Sequence, residues 1–154
     1  MLPVHNLHGE LPASIGNLTL LVNLDLSANA VNGTIPETIG QLTHLQFFNV
    51  SENKFHGTIP ESIGGLKDLR MFDVSGLVLD YYVLKDLIQI DPEHLGEGLS
   101  GTIPASFANL TELRYFSVGY NALSGSLEPI GHMGQLEYLF LYLNRFTGTF
   151  PDNF

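Results

Sequence analysis

The chain has 154 residues, 44% of them hydrophobic, no cysteine, and a formal net charge of -10 at pH 7. That apolar content suffices for a continuous core in one domain. No stretch is long and apolar enough to span a membrane as a helix. The acidic balance excludes the basic stripe that nucleic acid requires, and the absence of cysteine excludes a disulfide framework.

In chain order, one phrase keeps returning. It reads Gly9-Glu10-Leu11-Pro12, Gly33-Thr34-Ile35-Pro36, Gly57-Thr58-Ile59-Pro60 and Gly101-Thr102-Ile103-Pro104, weakens to Gly125-Ser126-Leu127-Glu128, and returns as Gly148-Thr149-Phe150-Pro151. The glycines are separated by 24, 24, 44, 24 and 23 residues. A fixed step of this size predicts a solenoid whose repeats pack only on their neighbours. The glycine supplies a permissive backbone for a turn, and the proline fixes φ and ends pairing.

Upstream of each phrase lies a second frame. It runs Leu18, Leu21, Leu24, Leu26, Asn29, then Leu42, Leu45, Phe48, Val50, Asn53, and later Leu110, Leu113, Phe116, Val118, Asn121 and Met133, Leu136, Leu139, Leu141, Asn144. The final apolar pair of each frame is two residues apart, the alternation of a strand, so Leu24 and Leu26 face the same way. One short strand per repeat is expected, stacked in parallel. Asn29, Asn53, Asn121 and Asn144 stand where the chain turns away from the strand, and an amide that both donates and accepts can satisfy backbone groups buried there. An amphipathic helical array fails because no 3.6-residue period persists, and a β-sandwich fails because turn signals recur at 24 residues rather than at 8 to 12.

These residues resemble the leucine-rich repeat family in its plant-type form, LxxLxxLxLxxNxLxGxIPxxLxx, over nearly the whole chain except roughly residues 77 to 96. The resemblance implies an α/β solenoid: a right-handed superhelix of about six 24-residue repeats with a parallel β-sheet on its concave face, forming one domain over 1–154. It also implies a non-catalytic recognition module similar to receptor-like kinase ectodomains and polygalacturonase inhibitors, extracellular or at the cell surface, with a cytoplasmic location as the alternative. Members of this type commonly carry cysteine-paired caps, and this chain departs from that. Residues 1–10 show no charged segment followed by an apolar one, so no signal peptide is read there. By register Leu2 matches Leu26, and Phe154 matches Ile39 and Ile63, so both ends are expected to fall inside a repeat of a longer protein. Uncapped ends invite self-association. A structural, self-associating scaffold is therefore the alternative function.

The 44-residue step exceeds one repeat by 20, and Leu77 stands where register predicts asparagine. Two readings of residues 77–96 are open. They form a partly helical island on the flank, or they hide a short extra repeat, suggested by Leu66-Lys67-Asp68-Leu69 recurring as Leu84-Lys85-Asp86-Leu87. Pro92 replaces an inward strand residue, which favours the island.

Outward strand positions form columns spaced ~5 Å per repeat. The first reads Asn23, Phe47, Met71, Tyr115, Tyr138; the second Asp25, Asn49, Asp73, Ser117, Phe140; the third Ser27, Ser51, Ser75, Gly119, Tyr142; the fourth Ala28, Glu52, Gly76, Tyr120, Leu143. The N-terminal half is small and polar, and the C-terminal half aromatic. Outward aromatics on a binding face have the character of hot spots. Phe47, Met71, Arg114, Tyr115, Tyr120, Tyr138, Phe140 and Tyr142 are thus the candidate ligand contacts, for a protein or peptide, with carbohydrate as a further class. The competing reading is that these rings merely cover the sheet.

Other chemistry is discounted. Asp25 and Asp73 share a column two rungs apart, ~10 Å by strand spacing, but a solvated flat face gives no cleft to raise the pKa of one partner. The histidines have no metal-ligand spacing, no phosphate loop is present, and no cofactor is expected. Sequons occur at Asn17, Asn32, Asn49 and Asn109, with Asn49 pointing out of the concave face.

Overall fold

A repeat too small to bury its own apolar face must lay it against the next copy. The computed structural model, which describes residues 7–76 and 98–153, has that form. In chain order its strands are β1 (His8–Glu10), β2 (Asn23–Asp25), β3 (Ala30–Gly33), β4 (Phe47–Asn49), β5 (Lys54–Phe55), β6 (Gly57–Thr58), β7 (Met71–Asp73), β8 (Leu99–Thr102), β9 (Tyr115–Ser117), β10 (Ala122–Gly125), β11 (Tyr138–Phe140) and β12 (Arg145–Phe146). The Leu-x-Leu strands build a parallel five-stranded sheet in the order β11-β9-β7-β4-β2.

Each repeat holds a second strand that the sequence reading did not foresee. The segment around the glycine phrase also pairs in parallel, as β1-β3-β5 and as β12-β10-β8-β6. All six phrase glycines have positive φ, from 80 to 94°, a conformation that side chains with a Cβ resist. The two strand sets are joined by 3₁₀ turns at Ala13–Asn17, Glu37–Gln41, Glu61–Gly65, Ala105–Asn109 and Glu128–Ile130. Prolines 12, 36, 60 and 104 cap the first four, with φ between -73 and -58°. These turns stack so closely that a Cβ on Gly40 would lie 2.6 Å from the Ser62 carbonyl oxygen.

The core is a column of inward strand residues. Phe48 stacks on Phe72 at 5.5 Å and Phe72 on Phe116 at 5.8 Å, while Phe107 from a 3₁₀ turn meets Phe72 and Phe116 edge-on at 5.2 and 5.7 Å. All four are fully buried, and offset stacking with edge-to-face contacts is the arrangement ring quadrupoles favour.

Beneath the five-stranded sheet runs the asparagine ladder. Asn53 Oδ1 accepts the Val31 N–H at 2.9 Å, and its Nδ2 donates to the carbonyls of Leu26, Val50 and Ser51 at 2.8 to 3.2 Å. Asn121 and Asn144 repeat this pattern two and three rungs on. Asn29 bonds Leu7 N–H and the carbonyls of Leu26 and Ser27. The residue before each asparagine is left-handed, with φ of 53 to 54° at Ala28, Glu52, Tyr120 and Leu143. Such non-glycine strain persists only where surrounding bonds hold it.

Across the 44-residue step β7 pairs directly with β9, Phe72 opposite Phe116, so no rung of this sheet stands between them. The readings of residues 77–96, and those of Leu2 and Phe154, lie outside the described residues.

Candidate ligand-binding face

Strand register sets the outward columns. Asn23, Phe47, Met71, Tyr115 and Tyr138 align across five rungs, as do Asp25, Asn49, Asp73, Ser117 and Phe140. Backbone bonds extend the ladder past the strands, with Ala28 N–H on the Ser51 carbonyl, Glu52 on Ser75, Gly76 on Gly119 and Tyr120 on Tyr142. The third and fourth columns therefore stand beside the first two.

The structure brings five of the expected residues into one ring cluster. Centroids run from Tyr138 to Tyr115 at 5.9 Å, Tyr115 to Phe140 at 5.5 Å, Phe140 to Tyr142 at 6.4 Å and Tyr142 to Tyr120 at 5.2 Å. Tyr138, Phe140 and Tyr142 remain 55, 36 and 47% exposed. Tyr142 folds back over Gly119, where a Cβ would come within 2.6 Å of its ring, so the small residue lets the ring lie on the sheet. Phe47 is exposed one rung beyond Met71 in the first column. Met71 stands between it and Tyr115 in that column. Arg114 donates to Glu137 Oε1 at 2.6 Å across adjacent rungs, a half-exposed pair worth ~0.2–1 kcal/mol. Opposite charges one repeat apart were legible in register, yet Glu137 was missed.

A recurring Asp/Asn-x-Ser triplet was also missed. Asp25 Oδ1 accepts from the Ser27 N–H and hydroxyl at 2.9 and 2.7 Å, Asn49 Oδ1 from Ser51 at 3.1 and 2.7 Å, and Asp73 Oδ1 from Ser75 at 3.0 and 2.6 Å. The triplets recur at 24 residues, and that period was the available signal. The Ser27 hydroxyl and N–H hold the Asp25 carboxyl below its ordinary range. This face is less solvated than expected, because Asp73 is only 8% exposed. The hydroxyl of Tyr115 reaches Asp73 Oδ2 at 3.4 Å. Among the described residues no group of three or more metal-ligating side chains comes together. Of the sequons, Asn17, Asn32 and Asn109 are exposed, whereas Asn49 is half-buried with its amide oxygen engaged by Ser51.

A parallel sheet with one strand per turn, an asparagine ladder beneath it and a glycine phrase closing each turn define a leucine-rich repeat solenoid. The Leucine Rich Repeat family profile matches residues 20–42 and 44–66. Among solved structures, the chain is similar to the plant peptide hormone receptor RGFR1 in complex with RGF2, at 28% identity and a TM-score of 0.76, over 92% of this chain and 20% of that one. It is similar to the ectodomain of the Arabidopsis receptor kinase HAESA, solved with an extended IDA peptide hormone, at 29% identity and a TM-score of 0.79, over 96% of this chain and 22% of that one. The ectodomain of the receptor kinase SOBIR1 from Arabidopsis thaliana matches at 26% identity and a TM-score of 0.74, over 92% of this chain and 67% of that one. The chain thus spans about a fifth of the length of the first two. Curated protein sequences give no match. The chain therefore has the leucine-rich repeat fold, and its repeats are similar to those of plant receptor ectodomains.

Proposed function

We propose that this module recognises an extended peptide or protein segment outside the cell, through the outward face of the five-stranded sheet. The observation that carries this reading is the contiguous, partly exposed ring cluster of Tyr115, Tyr120, Tyr138, Phe140 and Tyr142, on a face whose N-terminal rungs are small and polar apart from Phe47 and Met71. Rings on a rigid sheet give large contact area at small entropic cost, and Met71, Phe47 and Arg114 extend the contact along the first column and its edge. The two similar receptors solved with peptide hormones support the ligand class. On the same reading the exposed Asn17, Asn32 and Asn109 accept glycans in a secretory host, while Asn49 is held by Ser51. The test is selection from a displayed peptide library against the chain, repeated on Tyr138→Ala and Phe140→Ala. Both side chains are exposed, so the variants keep the parent's melting behaviour and lose the selected peptides. Retained binding by both variants refutes the face.

A second reading rests on apolar positions at the outer rungs. Leu18 is 53% exposed where its equivalents Leu42, Leu66 and Leu110 are fully buried, and Phe150 is 64% exposed where Ile35, Ile59 and Ile103 are buried. Pairing of these surfaces with a second copy would cover them. Light scattering across a range of concentrations separates the two: a constant monomer mass removes self-association, and a mass that rises with concentration supports it.

A further inference from the structure

Building on the proposed peptide recognition, we infer that the ring cluster beside Asp73 is a subsite for a positively charged side chain, arginine or lysine, of the ligand. The cluster offers rings in one contiguous patch, and a ring face carries the negative end of its quadrupole, which attracts a cation lying over it. A carboxylate stands at the edge of that patch: the Asp73 Oδ2 faces the Tyr115 hydroxyl at 3.4 Å, and Tyr115 leads to Phe140 at 5.5 Å and onward to Tyr142. Asp73 Oδ1 is engaged by Ser75, which fixes the carboxylate in this orientation.

The nearby cations do not cancel that charge. Arg114 is paired with Glu137. Arg70 precedes β7, three residues before Asp73 and so ~10 Å along the strand. The Asp73 charge is felt across the cluster. The Tyr115 phenol is pushed up by burial and next by Asp73, and the Tyr142 phenol by burial, then Tyr120, then Asp73. On a larger scale, 16 acidic residues against 6 basic ones give a field that draws cationic ligands and repels anionic ones.

The neighbouring rung supplies a clean variant. Asn49 occupies the Asp73 position one repeat earlier and makes the same two bonds to its serine. Asp73→Asn therefore removes the charge and keeps the turn. The experiment titrates the full chain with three pentapeptides of otherwise identical sequence, whose central residue is arginine, its uncharged isostere citrulline, or glutamate. The readout is aromatic proton–carbon NMR shifts of Tyr115, Phe140 and Tyr142.

The expected result is that the arginine peptide shifts these rings with at least about threefold higher affinity than the citrulline peptide, the scale of an exposed cation–π contact. The glutamate peptide is weaker still. Asp73→Asn lowers the arginine affinity about two- to fivefold and leaves the citrulline affinity and the thermal midpoint unchanged. Equal binding of arginine and citrulline peptides overturns the cationic subsite while leaving peptide recognition by the face intact. So does an Asp73→Asn variant with unchanged arginine affinity and an unchanged melt. An arginine peptide that moves none of the three rings overturns it as well. If Asp73→Asn lowers the melting point, Phe140→Leu replaces it, keeping apolar contact while removing the ring face: the arginine preference must then fall, and its persistence counts against the subsite.

Discussion

Asn53→Ala strikes a buried member of the ladder with a full set of four bonds. The side chain is 6% exposed and joins two repeats: its Oδ1 takes the Val31 N–H at 2.9 Å, and its Nδ2 reaches the Leu26 carbonyl of the preceding repeat at 2.8 Å besides two carbonyls of its own turn. Truncation leaves the buried Val31 N–H without an acceptor, which costs ~1–3 kcal/mol, and removes the bond to Leu26, worth a further ~0.5–1.5 kcal/mol. The sum, about 1.5–4.5 kcal/mol, is a large part of the ~5–15 kcal/mol that holds an ordinary domain together. It also releases the bonds that hold Glu52 at φ 53°, so local order should loosen with the loss of stability. Asn29 supplies the comparison: it bonds an exposed Leu7 N–H and only its own turn's carbonyls, so Asn29→Ala should cost about 1 kcal/mol or less. Urea unfolding followed by circular dichroism measures both. If Asn53→Ala loses less than ~0.5 kcal/mol, or no more than Asn29→Ala, the ladder does not hold the repeats together as described.

Three other outcomes follow from the same geometry. Phe72→Ala, at the centre of the ring stack, should cost ~3–5 kcal/mol in the same urea assay. Gly40→Ala, whose Cβ would meet the Ser62 carbonyl oxygen at 2.6 Å, should force the stacked 3₁₀ turns apart and cost ~1–3 kcal/mol, although alanine is ordinarily the better-tolerated residue. Asp25 has a folded pKa held down by Ser27, so its contribution is present above the unfolded carboxylate value near ~4 and is lost as pH falls below it. Asp25→Asn should leave the pH 7 melting point close to the parent and flatten the fall in melting point below about pH 4.

The repeat frame was legible because its signals are local and periodic. Leu24 and Leu26 declare a strand by alternation, Gly33 and Pro36 declare a turn, and the 24-residue step phases them. The outward columns follow from that register alone, so Tyr115 could be set beside Tyr138 without coordinates. The second sheet was hidden for the opposite reason. Segments such as Gly57–Thr58 are two residues long, contain glycine and stop before a proline, so intrinsic preference argues against a strand, and only pairing with Leu99 and Ser100 of another repeat makes one. Ring-to-ring approach was hidden too, since the direction Tyr142 takes depends on the space over Gly119 in another repeat. The burial of Asp73 escaped notice because a lone aspartate reads as solvated. It became visible only with the Ser75 bonds and the Tyr115 ring beside it.

The most direct test of the account is a structure of the chain with a peptide selected from the displayed library. The account predicts a peptide laid across β7, β9 and β11, with one side chain over Tyr115, Phe140 and Tyr142. A peptide bound to the β6-β8-β10-β12 sheet or along the 3₁₀ turns, with the ring cluster left open to water, would contradict it.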